Sequence, residues 1–145
     1  MTLSVEKVYP LAFAALAAGL WWFFLPSFPR DEKEFLGAAI SVGSIFTGFI
    51  ATAKAILAAL PNDTVMGRLK KSGYIKELVS YLAQALYGCL SFSIYGMMGF
   101  FLLEERAPSL GKYYAIGWIF LAAFSLAAFH RVASVLMKVI SHHHE

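Results

Sequence analysis

Charged residues divide this chain into four long uncharged runs, at positions 8–29, 35–53, 78–103 and, with His130 neutral, 113–130. The runs hold 22, 19, 26 and 18 residues. About 20 apolar residues cross a hydrocarbon core as a helix. The pattern therefore predicts four spanning helices, at about residues 9–28, 32–60, 74–103 and 110–140. The expected fold class is an all-α membrane protein, a single four-helix transmembrane bundle over residues 1–145.

Local signals fit those bounds. Pro10 is tolerable in a first helical turn, and Trp21, Trp22, Phe23 and Phe24 crowd the far end, where aromatic rings favour the membrane interface. Asp31 followed by Glu34 makes a capping pattern for the second helix, Pro61 stops it, and Ser109 is the expected cap of the fourth. A removable leader has a short apolar core after a positive start. Here the first run is longer and only Lys7 precedes it, so it is expected to stay as a helix.

Composition strengthens the picture. Of 145 residues, 59% are hydrophobic and 14% charged, with mean hydropathy +0.66. Soluble domains carry about 25% charged residues, and once four spans are assigned almost no chain remains for an extramembrane domain. The one long connection, PNDTVMGRLKKSGYIKE, sets Val65, Met66 and Leu69 beside Arg68, Lys70 and Lys71. It is either a short amphipathic helix on a lipid surface or a solvated basic loop. With Lys76, these cations offer a contact for anionic lipid or a cytoplasmic partner protein.

Basic residues also orient the chain, because cytoplasmic segments are enriched in Lys and Arg. With the N-terminus inside, seven lie on the cytoplasmic side (Lys7, Arg68, Lys70, Lys71, Lys76, Arg131, Lys138) and four outside (Arg30, Lys33, Arg106, Lys112). Both termini are thus expected in the cytoplasm, in a multi-pass membrane protein. Lys54 is the one cation inside an apolar run. It lies near the cytoplasmic end of the second helix, where its stem can extend toward the headgroups; a polar cavity is the alternative.

Two helical faces stand out. Gly37, Ser41, Ser44, Gly48, Ala51 and Ala55 recur at steps of three and four, continuing to Ala58. Small residues let helices approach closely in lipid, so this line is expected to be a packing seam against the first helix, which offers Ala14-x-x-x-Ala18 and Ala15-x-x-x-Gly19. On the third helix Glu77, Ser80, Gln84, Tyr87, Ser91 and Tyr95 form a polar stripe about four turns long. Polar groups facing lipid lack partners, so the stripe must meet another helix, another subunit or water. In the fourth helix His130, Ser134, Lys138 and Ser141 share a face with Arg131 beside it, expected to lie among lipid phosphates.

No GxSxG, HExxH, CxxC or phosphate-binding glycine loop occurs, and catalysis, a cofactor and a metal centre are not expected. Cys89 is the single cysteine and can form no intramolecular disulfide. The terminal HHHE carries no functional inference. Four helices without inverted repeats leave little room for an enclosed midplane site, so any conduit needs several copies, a homo-oligomer.

Gly48, Phe49 and Thr52 of a "GF-x-x-T" helix, the basic loop Arg68, Lys70 and Lys71, and Gly73, Tyr74 and Tyr81 of a "GY…Y" helix carry a resemblance. Over about 60 of the 145 residues the chain resembles small bacterial four-helix membrane proteins of antiphage loci, the RexB type of the Rex phage-exclusion system among them. The first helix and the tail have no counterpart there. The resemblance implies an ion channel or pore that depolarises or permeabilises the inner membrane on infection, in antiviral defence. The alternative is a non-conducting membrane sensor or scaffold that recruits a cytoplasmic effector through the basic loop. Membrane lipids, further copies and a cytoplasmic defence protein are the expected partners; direct nucleic-acid binding is not expected.

Overall fold

The structure, a computed structural model, describes residues 3–24, 31–59, 74–102 and 108–141. They form four helices: α1 (Leu3–Phe24), α2 (Glu32–Ala59), α3 (Tyr74–Leu102) and α4 (Pro108–Ser141). All four are long and apolar enough to cross a membrane, and they pack as a bundle. The basic connection carrying Arg68, Lys70 and Lys71 lies outside the described residues.

Helix ends follow local chemistry. Asp31 precedes α2, and its carbonyl accepts the Phe35 N–H at 3.0 Å. Glu32 and Glu34 place negative charge in the first turn, where the helix dipole favours it. α4 starts at Pro108, whose missing N–H costs nothing at a first helical position. Ser109, expected as the cap, is therefore inside the first turn. α1 starts at Leu3, so Pro10 is mid-helix rather than in a first turn, and it is fully buried. Spanning helices tolerate such a proline because packed neighbours compensate for the lost backbone bond.

α3 and α4 form the centre. α2 packs along α3, α1 packs along α4, and α2 only grazes α4. Along α2 the buried positions are Leu36, Gly43 and Ile50, a heptad line. Leu36 lies at Gly99, Ile40 at Gly96, and Gly43 at Ser93. Each step forward on α2 is a step back on α3, so the two run antiparallel with the backbones drawn together at glycine. Across α3 and α4 aromatic rings fill glycine notches: Phe124 lies against Gly88 and Tyr95 against Gly117. Phe46 of α2 stacks on Phe129 of α4 with centroids 4.1 Å apart.

The expected α1–α2 seam is corrected by this arrangement. Ser41, Ser44, Gly48, Ala51 and Ala55 are exposed and Gly37 is half-buried. A Cβ on Gly37 or Gly48 would meet nothing within 4 Å. On α1, Ala14 is buried but Ala15 and Gly19 are exposed. Hydrocarbon removes the hydrophobic drive between helices and leaves packing contact to decide. The face with Leu36, Ile40, Phe46 and Ile50 offers more atoms to α3 than a face of small side chains does.

Leu16, Leu20, Phe23, Phe24, Ile45, Phe49, Ile56, Phe101 and Met137 are all exposed. Soluble monomers rarely expose contiguous apolar patches beyond a few hundred Å². An outer surface of this kind suits lipid.

Candidate functional site

The polar stripe of α3 divides into two sets. Glu77, Gln84 and Tyr95 are half-buried and bonded to other helices. The Lys7 Nζ of α1 donates to Glu77 Oε1 at 3.0 Å. Arg131 Nη2 of α4 donates to Gln84 Oε1 at 2.6 Å. Tyr95 and Tyr114 exchange bonds: each hydroxyl donates to the other's backbone carbonyl, at 3.3 and 3.0 Å, and the rings stack 4.8 Å apart. This half of the stripe fastens α3 to α1 and α4.

Ser80, Tyr87 and Ser91 are exposed and make no hydrogen bond among the described residues. Three of the four hydroxyls of α2 behave differently; the fourth, Ser44, is exposed and makes no hydrogen bond among the described residues. Ser41, Thr47 and Thr52 donate to the carbonyls of Gly37, Gly43 and Gly48 at 2.9, 2.8 and 2.9 Å. That local back-bonding satisfies a hydroxyl without any neighbour, so those three positions are equipped to face lipid. The three α3 hydroxyls are not.

Arg131, expected among lipid phosphates, is instead 5% exposed inside the bundle. Its guanidinium carbon lies 4.1 Å above the centre of the Tyr81 ring, a cation–π geometry, beside the Gln84 bond. A cation facing hydrocarbon is costly, and these groups help to replace water around it. His130 and Lys138 are exposed, and Ser134 is half-buried. The signal for Arg131 was a glutamine in the middle of a span, which needs a donor from another helix. Spacing along α3 does not say which.

Between α1 and α3, over a floor of α4, lies an open cleft of about 410 Å³. Leu11 forms one wall, Gln84, Tyr87, Gly88 and Ser91 the other, and Phe120, Leu121 and Phe124 the floor. Lys7 is one helical turn before Leu11, and Glu77 two turns before Gln84, so their ion pair stands at one end of the cleft.

Charge is unevenly distributed between the ends. Among described side chains, the half with the Lys7–Glu77 pair holds Lys7, Lys54, Lys76, Arg131 and Lys138 against Glu77 alone. The opposite half holds Asp31, Glu32 and Glu34 against Lys33 and Lys112. Lys54 is exposed on α2, about 7.5 Å along the axis from Ala59, within reach of that positive end. Searches against protein-family models, curated proteins and solved structures find no match to this chain.

Proposed function

We propose that several copies of this chain assemble in a bacterial inner membrane into a conduit whose wall includes the exposed hydroxyls of α3. One observation carries the proposal: Ser80, Tyr87 and Ser91 face outward from α3 without hydrogen bonds among the described residues, whereas of the outward hydroxyls of α2 Ser41 and Thr52 bond to their own helix and Ser44 alone does not. A hydroxyl moved from water to an apolar medium without a partner costs about 1–3 kcal/mol on protein mutational scales. Three such groups on one face favour water or a second copy over lipid. The positive half of the bundle supports a cytoplasmic placement of both termini. Resemblance to membrane proteins of antiphage loci supports a defensive role, with flux rather than a chemical reaction as the output.

Purified protein in liposomes is expected to pass monovalent ions, and Ser80→Leu with Ser91→Leu is expected to lower that flux about tenfold. Each lost hydroxyl contact is worth about 0.5–1.5 kcal/mol, and about 1.4 kcal/mol is a factor of ten. Wild-type flux in the double variant removes α3 from the wall. A strictly monomeric protein in lipid removes the conduit.

A further inference from the structure

We infer that the cleft between α1 and α3 is a binding site for one anionic phospholipid, its acyl chain in the cleft and its phosphate at the Lys7 end. The inference does not depend on conduction. It stands on the shape of the cleft, the chemistry of its lining and the charge around its mouth.

The cleft opens sideways from the bundle, and its volume of about 410 Å³ lies in the roughly 300–1,000 Å³ range of small-molecule sites. Leu11, Phe120, Leu121 and Phe124 give it an apolar wall and floor suited to a hydrocarbon chain. From Gln84 to Ser91 it runs about 10 Å along α3, comparable to the depth of one leaflet, about half of a 30 Å core. From the Lys7–Glu77 pair to Ser91 the path along α3 is about 21 Å, so a tail entering there reaches just past the midplane of the core.

The mouth selects the headgroup. The Lys7 ammonium has three donors, one of which goes to Glu77, and its side chain remains half-exposed at 51%. Lys76 is exposed one residue before Glu77. Apart from Arg131, buried against Gln84 and Tyr81, the surrounding half of the bundle holds four cations against one carboxylate among described side chains. Basic residues at a membrane surface attract anionic lipid. A zwitterionic lipid would satisfy the apolar cleft equally well but would gain little from this net charge.

Delipidated protein in detergent, titrated with phosphatidylglycerol or phosphatidylcholine and weighed intact by native mass spectrometry, tests the inference. One phosphatidylglycerol per chain is expected to be retained, at least tenfold more tightly than phosphatidylcholine. Leu11→Trp is expected to weaken phosphatidylglycerol at least tenfold by filling the cleft from an exposed position. Ser91→Phe fills it from the opposite wall and is the variant to use if the first loses helicity. Lys7→Gln is expected to abolish the preference between the two lipids while leaving residual binding. Glycerol phosphate in place of lipid is expected not to bind, since the chain supplies the apolar contact. Equal retention of both lipids by wild type, or unchanged phosphatidylglycerol binding in the cleft-filling variants, overturns the inference. A dimer dissolved by Leu11→Trp with lipid binding unchanged would assign the cleft to a second copy instead. Ion flux is read separately in Leu11→Trp, which leaves Ser80, Tyr87 and Ser91 in place, so loss of the lipid site and loss of the conduit are distinguishable.

Discussion

Gln84→Leu is expected to destabilise the bundle by about 1.5–3 kcal/mol, the range for hydrogen bonds to charged groups, although leucine is the more apolar residue in a membrane span. The replacement removes the acceptor 2.6 Å from Arg131 Nη2, a residue only 5% exposed. Hydrogen bonds between membrane helices average only about 0.6 kcal/mol, because the unfolded chain in lipid also finds partners. That average describes mostly neutral pairs. A buried guanidinium adds the penalty of leaving an ion poorly solvated, which dominates whenever one member of a buried polar pair is removed. Its contact with the Tyr81 ring recovers part of the loss, since cation–π interactions are worth about 0.5–2 kcal/mol.

The decisive comparison is with Arg131→Met and with the double variant. If the ion is the source of the cost, Gln84→Leu combined with Arg131→Met regains most of what Gln84→Leu alone loses, as apolar replacement of a buried polar pair often does. Unfolding titrations in mixed micelles measure all three variants. Additive losses would mean that Gln84 and Arg131 act independently despite their geometry, since contacting pairs normally couple by about 0.5–3 kcal/mol. The same reasoning disqualifies Gln84 as a probe of conduction. A leucine there loosens α4, whereas Ser80 and Ser91 have no internal bond to lose.

Element count, length and order were legible because they depend on one solvent. Runs of about 20 uncharged residues have a single stable form in hydrocarbon, and charge spacing alone marks them. Helix neighbours were not legible. α2 carries small residues on one face and Leu36, Ile40, Gly43 and Ile50 on another, and both patterns repeat at helical spacing. Choosing between them required the relative contact each face makes, a property of two helices rather than one. Gly43, Gly96 and Gly99 carry the actual close approach, yet in the sequence they look no different from Gly37 and Gly48. The stripe of α3 was visible as a stripe. Its division into bonded and unbonded residues was not, because Lys7, Arg131 and Tyr114 come from runs far along the chain.

Gly99→Ala is expected to destabilise the bundle by about 1–3 kcal/mol, the usual cost of overpacking a well-packed site. A methyl group there would lie 2.8 Å from Tyr114 Cζ and 2.9 Å from Leu36 Cδ1. Neither can withdraw freely: Leu36 is 1% exposed, and the Tyr114 ring is stacked on Tyr95 and bonded through its hydroxyl to the Tyr95 carbonyl at 3.0 Å. Displacing Tyr114 strains the reciprocal bond as well, adding about 0.5–1.5 kcal/mol. Alanine's better helix propensity returns about 1 kcal/mol, so overpacking wins. Tyr114→Phe removes the atom nearest the new methyl, and Gly99→Ala with Tyr114→Phe is therefore expected to cost less than the sum of its parts. Gly48→Ala is the control, because nothing lies within 4 Å of that position in one chain. Propensity alone then predicts a gain of up to about 1 kcal/mol in monomeric protein. A loss at Gly48 that appears only in the assembled protein would mean that a neighbouring copy covers the small-residue face of α2. A gain in both states would leave that face to lipid.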